Sequence, residues 1–185
     1  MDGLRTIASH EELSLSMQAM AQKIIHEHGA DRPLFVALLR GAAPFASKLM
    51  FEMTALAPEM HPELDYMMVS TYGDGREAGT PRIVTDLAPD TIVKDRLVIV
   101  LDDVLDKGIT ADFVTTYLKQ RGAKTIKLAV LATKAVPTRT FEADYSCLEA
   151  PDAWLVGMGM DNADTAREAY RWLDAIKAIE PTNQS

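Results

Sequence analysis

The chain of 185 residues contains one cysteine, Cys147, so no internal disulfide can form and a reduced, cytoplasmic protein is expected. The thiol reads as a small apolar filler at the end of a short strand. The four histidines, His10, His26, His28 and His61, do not cluster with it, so no zinc site is indicated. Basic charge is also short: 19 Lys and Arg stand against 27 Asp and Glu, and a net charge of −8 argues against a general grip on nucleic acid. No apolar run approaches the ~20 residues of a membrane span. The opening residues MDGLRTIASHEEL are charged where a secretory leader needs an apolar core, so neither anchor nor leader is expected. Repeats, low-complexity tracts and linkers are missing as well. With 48% hydrophobic and 25% charged residues, the composition is that of a globular chain, and one domain over 1–185 is expected.

Periodicity divides the chain into alternating elements. Ser9 and Glu12 have capping-box spacing, and Leu13, Met17, Met20, Ile24 and Ile25 follow at helical intervals until Gly29. PLFVALL (33–39) reads as a buried strand and APFASKLMFEM (43–53) as a helix placed after Arg40 and Gly41. LDYMMVSTY (64–72) is a further strand. The polar, glycine-rich GDGREAGTP (73–81) reads as a mobile loop, with RIVTDL (82–87) as a β-ribbon strand on its far side. RLVIVLD (96–102) is the most apolar strand, and TADFVTTYLKQRG is a helix closed by Gly122. KTIKLAVLATK (124–134) is a strand, DAWLVGMGM (152–160) the last one, and DTAREAYRWLDAIKAI (164–179) a closing helix. Strands alternating with helices imply right-handed βαβ units, hence an α/β fold with a mostly parallel central sheet and helices on both faces. Ligands of such sheets bind at the carboxyl ends of the strands.

Two glycine-rich phosphate motifs are absent: the Gly-x-x-x-x-Gly-Lys-Ser/Thr loop and the Gly-x-Gly-x-x-Gly turn. The acidic pair of a phosphoacceptor receiver domain does not fit either, because the strands preceding Asp102 would be orphaned. What stands at the end of the apolar strand is Asp102, Asp103 and Asp106, then Lys107-Gly108-Ile109-Thr110 opening a helix. Ionised carboxylates only accept hydrogen bonds, so adjacent acids can take a ribose diol, directly or through Mg²⁺ waters. Backbone N–H groups at a helix N-terminus suit a 5′-phosphate. One turn can thus hold both ends of a ribose 5-phosphate. A plain helix-dipole role, favourable by ~0.3–1 kcal/mol per acid, does not account for three acids directly behind an apolar strand.

VIVLDDVLDKGIT resembles the PRPP signature of the type I phosphoribosyltransferases, and the chain is most similar to their hypoxanthine-guanine members. LLRGAAPFASKLM resembles the family's pyrophosphate loop, and VSTYGDG the start of its flexible active-site loop. LATK, PDAWLVGMGMD and the arginine of DTAR follow in the family's order, over roughly residues 34–170. The resemblance implies the family's fold, with a small hood and a flexible β-ribbon loop. It implies 5-phosphoribosyl transfer from PRPP to N9 of hypoxanthine and/or guanine, giving IMP or GMP and pyrophosphate, with Mg²⁺ as cofactor. It also implies a homodimer or homotetramer without nucleic-acid or membrane partners.

Residue roles are carried over from that resemblance. Asp102 and Asp103 hold the ribose hydroxyls, and Asp102, Asp103 and Asp161 are the implied metal contacts. Asp106 is the candidate general base against purine N7, and Asp106, Lys107, Gly108, Ile109 and Thr110 form the phosphate loop. Arg40, Gly41 and Arg167 face pyrophosphate, and family members carry a cis peptide at the position of Leu39–Arg40. Thr71 and Tyr72 belong to the closing loop. Lys134 donates to O6 of the purine, Trp154 stacks on the base, Leu155 and Val156 line its edge, and Asp161 sits on the guanine side. Taken without the resemblance, Arg40 is a solvated strand-end arginine, Lys134 a strand-end lysine and Trp154 a core aromatic. The chain departs from the family at Lys107, where threonine is usual, and at Asp102, where purine enzymes usually have glutamate. DNADTAR also lacks the usual tyrosine and asparagine after the acid. A PRPP-binding regulatory protein of the same fold and a xanthine phosphoribosyltransferase stay open as alternatives.

Overall fold

The computed structural model describes residues 3–72, 78–162 and 164–180. In chain order the elements are β1 (Leu4–Ala8), α1 (His10–His28), β2 (Leu34–Leu39), α2 (Ala43–Leu56), β3 (Glu63–Tyr72), β4 (Ala78–Thr85), β5 (Leu97–Leu105), α3 (Ile109–Gln120), β6 (Thr125–Lys134), β7 (Tyr145–Ala150), β8 (Leu155–Val156) and β9 (Ile176–Ile179). Six strands form one sheet in the order β4-β3-β2-β5-β6-β7, and β1, β9 and β8 form a second, three-stranded sheet. All neighbours in the larger sheet are parallel except β3 with β4.

The unbroken apolar runs of β2 and β5 follow from burial on both faces of the sheet. Successive residues point to opposite faces. Phe35, Ala37, Ile99 and Leu101 therefore enter one core, which α1 and α2 cover with Leu13, Met17, Ile24, Phe45 and Leu49. Leu34, Val36, Leu38, Val98 and Val100 enter the other, which α3 covers with Val114 and Leu118. Each fully buried side chain of this size contributes ~1.5–3 kcal/mol relative to exposure. The capping box at the start of α1 is complete: Glu12 N–H donates to Ser9 Oγ at 3.3 Å and Ser9 N–H donates to Glu12 Oε2 at 2.8 Å. No helix among the described residues is long and apolar enough to cross a membrane.

Three expectations are corrected. The closing helix over 164–179 does not form. Residues 164–173 run as turns, with Glu168 and Tyr170 at φ +64°, and Ile176–Ile179 is strand β9. Left-handed residues interrupt a right-handed helix, and pairing with β1 (Leu4↔Ile179, Arg5↔Ala178) outweighs the segment's helical composition. The strand read over 152–160 shrinks to Leu155–Val156, because Gly157, Met158 and Gly159 all take positive φ in a tight turn. The expected loop is shorter than 73–81, since β4 already begins at Ala78. Its Pro81 lies on an edge strand, at an irregularity in the pairing with β3 between Arg82 and Ala78, the kind of position where proline is tolerated. The remainder of that loop, 73–77, lies outside the described residues.

Candidate active site

β5 does not stop at the first acid but continues to Leu105, so Asp102 and Asp103 occupy its last turns of pleat. The parallel register sets Asp102 beside Val130 and Leu105 beside Thr133. One step further, Lys134 at the end of β6 reaches Asp106, and its Nζ donates to Asp106 Oδ2 at 3.3 Å. The lysine side chain is only 12% exposed, whereas that of Asp106 is 46% exposed.

The turn after β5 is braced from the loop beyond β6. The Lys107 carbonyl accepts from Thr140 N–H at 3.2 Å and from its Oγ1 at 3.3 Å. Gly108 has φ +91°, and a Cβ there would press on Phe141 Cβ at 2.6 Å, so glycine is required twice over. α3 then begins at Ile109 without a side-chain cap. Its first N–H groups have no partner within the helix and are available to an acceptor. Asp102, Thr71 and the turn from Asp106 to Thr110 line a cavity of about 250 Å³ there. The Lys107 side chain is exposed and Gly108 is buried. Tyr72 ends β3, opposite Ala78.

An adjoining cavity of about 440 Å³ is lined by Arg40, Gly41, Asp103, Lys134, Trp154, Leu155, Asp161 and Arg171. Val104 and Asp106 line both cavities. Alternation along β5 turns Asp102 to the first and Asp103 to the second. The Leu39–Arg40 peptide is cis. A Cβ on Gly41 would overlap the Asp103 carboxylate, and one on Gly159 (φ +109°) would strike the Gly41 carbonyl, so two loops and the end of β5 close on one another here. Trp154 is not core: it is 53% exposed, and its Nε1 donates to the Asp161 carbonyl at 3.1 Å, which fixes the ring at the cavity rim. Leu155 lines the cavity, whereas Val156 is fully buried behind it.

Arg167 does not join this group; it is exposed and lies outside the cavity lining. Arg171 stands there instead, 8% exposed. Its Nη2 pairs with Asp161 Oδ2 at 2.8 Å, its Nη1 donates to the Gly159 carbonyl and its Nε to Glu168. The family order of DTAR favours Arg167, whereas the fold brings in the arginine four residues later.

Burial pushes the carboxyls of Asp102 and Asp103 above the ordinary range, and repulsion from Asp103 adds to the effect on Asp102. Asp103 N–H donates to Asp102 Oδ1 at 3.0 Å and Val104 N–H to Asp103 Oδ1 at 2.9 Å. Among the described residues no three His, Cys, Asp or Glu side chains gather into a metal-binding group. Asp161 is not gathered with Asp102 and Asp103; its Oδ2 pairs with Arg171 Nη2 at 2.8 Å.

Residues 4–163 match the family model described as phosphoribosyl transferase domain. A hypoxanthine-guanine phosphoribosyltransferase of Bacillus subtilis (strain 168) is 31% identical over 179 residues, covering 96% of this chain and 93% of its own. One from Streptococcus thermophilus (strain CNRZ 1066) is 31% identical over 178 residues, covering 95% of this chain and 93% of its own. Among solved structures, a hypoxanthine phosphoribosyltransferase from Staphylococcus aureus superposes with a TM-score of 0.83 at 26% identity, covering 98% of this chain and 94% of the other. The chain therefore belongs to the type I phosphoribosyltransferases, an enzyme family, and is most like the hypoxanthine-guanine members.

Proposed function

We propose that the protein transfers the 5-phosphoribosyl group of PRPP to N9 of a 6-oxopurine, hypoxanthine and/or guanine, in purine salvage. The observation that carries this reading is the pair of adjoining cavities sharing Asp106, one walled by helix N–H groups and the other by Trp154, Lys134 and two arginines. The 5′-phosphate sits against the N–H groups of Lys107, Gly108, Ile109 and Thr110, and the ribose hydroxyls are held by Asp102 and Asp103. The base stacks on Trp154, with O6 accepting from Lys134 Nζ. Pyrophosphate leaves toward Arg40, Gly41 and Arg171, which takes the place that the family resemblance implies for Arg167. Arginine forks suit that end because each gives paired, charge-assisted donors to phosphoryl oxygens.

Asp106 lies at the junction, beside Lys134, where N7 of a bound purine would come. It receives the N7 proton as N9 forms its bond to the ribose carbon. Residues Thr71 and Tyr72 lead into the segment that shields the ribose carbon from water. Mg²⁺ fits the chemistry of Asp102 and Asp103: two half-buried neighbouring acids resist ionisation alone, and a divalent cation would favour their charged forms. With two protein carboxylates at most, the remaining ligands come from substrate and water, as is usual for this ion. When bound it would offset the negative charge of the pyrophosphate leaving group. By the same resemblance the chain assembles as a homodimer or homotetramer, which light scattering tests directly.

The deciding experiment is nucleotide formation from PRPP and Mg²⁺ with hypoxanthine, guanine, xanthine and adenine in separate reactions. IMP or GMP is the expected product. PRPP binding without turnover on any base favours a regulatory protein, and preference for xanthine favours the xanthine enzyme.

A further inference from the structure

Arg40 and Arg171 come to the second cavity from different walls, one directly after β2 and the other from the turns between β8 and β9. One carboxylate joins them. Glu168 Oε1 accepts from Arg40 Nη1 at 2.8 Å, and Glu168 Oε2 accepts from Arg171 Nε. Arg171 gives its remaining nitrogens to Asp161 and the Gly159 carbonyl, so every nitrogen of this guanidinium has a partner within the chain. The three groups differ in how firmly they are held. The Arg171 side chain is 10% exposed, that of Glu168 is 33% exposed and that of Arg40 is 52% exposed. Glu168 sits at φ +64°, a left-handed backbone that L side chains rarely adopt, in a turn closed by Arg171 N–H on its own carbonyl at 3.3 Å. The Arg171 hydrogen bond, and after it that of Arg40, holds the Glu168 carboxyl below the ordinary range against the opposing effect of burial.

We propose that Glu168 is an internal stand-in for pyrophosphate: its carboxylate spans Arg40 and Arg171 while the site is free, and yields both guanidinium groups when the diphosphate arrives. The inference rests on the reading that pyrophosphate binds between these arginines. A diphosphate that takes the Arg40 Nη1 and Arg171 Nε donors displaces the carboxylate, and one that leaves is helped out by its return. Glu168 is thus a positioning residue that sets how tightly pyrophosphate is held and how readily it departs, through the arginines and without touching the base.

The test compares wild type, Glu168→Gln and Glu168→Asp in binding of inorganic pyrophosphate with Mg²⁺, followed by calorimetry, beside a turnover assay with PRPP and hypoxanthine. Glutamine keeps the shape and removes the charge, so pyrophosphate should bind at least about fivefold tighter, with the gain shrinking as salt rises. Aspartate is one methylene too short to span both arginines and should tighten binding by a smaller factor. The KM for hypoxanthine, a neutral ligand, should not follow. A brace that only supports the fold predicts the opposite: pyrophosphate binding equal or weaker in both variants overturns the proposal, as does tightening that is independent of salt. Wild type that makes nucleotide while neither variant tightens sinks this inference alone. Wild type that binds pyrophosphate but makes no nucleotide sinks the proposed reaction and leaves the role of Glu168 to be judged by the binding ratio. Wild type and variants that all fail to bind pyrophosphate overturn both.

Discussion

Lys134 Nζ donates to Asp106 Oδ2 across 3.3 Å, although the two residues belong to different strand ends. The pairing of Leu105 with Thr133 brings them together, since each is the next residue beyond that pair. A buried ammonium beside a more open carboxylate leaves one oxygen of Asp106 free to face a ligand, and the pair stands at the seam between the two cavities.

Asp106→Asn should therefore keep the fold and slow the reaction. Asparagine still accepts from Lys134 but cannot take a proton, and loss of a general base typically costs ~10²–10⁴-fold in rate. The quantity to measure is kcat/KM for hypoxanthine at saturating PRPP, with Tm as the control for folding. Turnover equal to wild type would remove Asp106 from proton transfer.

Lys107 tests whether the phosphate is held by side chain or by backbone. Its side chain is exposed, and its carbonyl is anchored by Thr140. Lys107→Thr should change the KM for PRPP by less than about fivefold, the ceiling for an exposed ion pair. A larger loss that grows as salt is lowered would instead place the ammonium on the phosphate.

What was legible in the sequence followed local rules. The capping box of Ser9 and Glu12, the two apolar central strands and the glycine-marked turn at Gly108 each rest on contacts within a few residues or on burial of both sheet faces. β1 and β9 were not legible, because each is short and their pairing joins the two ends of the chain, with only the two-residue β8 on the other side of β9. DTAREAYRWLDAIKAI carries helix-forming residues at helical spacing, yet Glu168 and Tyr170 adopt left-handed backbone and the hood strand wins. The arginine is a separate matter: the family order of DTAR points to Arg167, and only the tertiary structure reveals that Arg171 pairs with Asp161. The hold of Glu168 on Arg40 had no signal at all, since it depends on tertiary closure alone.

Asp102 should reveal itself in the pH dependence of stability. Burial, and then the Asp103 charge, raise its carboxyl in the folded chain, so the folded state keeps this proton more tightly than the unfolded one. The contribution is fully stabilising below the unfolded value near 4 and is lost as pH rises through the higher folded value. Wherever both acids are ionised, the ligand-free protein thus carries a strained pair. Asp102→Asn should raise Tm by ~2–4 °C there, about 1 kcal/mol for a chain of this size, and change little near pH 4. The same variant should weaken PRPP binding and lose the Tm increase that Mg²⁺ gives wild type. A variant that melts at or below wild type at neutral pH would show that the pair is not under strain.

Base choice turns on Lys134, whose ammonium is buried and already committed on one side to Asp106. A 6-oxopurine offers it an acceptor, whereas adenine presents an N–H₂ donor at the same position. Two facing donors leave both groups unpaired, and a site built to bond one polar group rejects its mismatch strongly. Wild type should favour hypoxanthine and guanine over adenine by at least ~10²-fold in kcat/KM. Lys134→Gln has comparable reach, but its amide can turn to accept as well as donate. It should lose activity on hypoxanthine and narrow the gap to adenine. Measuring both bases with both proteins decides the matter, because wild type that uses adenine as readily as hypoxanthine cannot be reading O6 through Lys134.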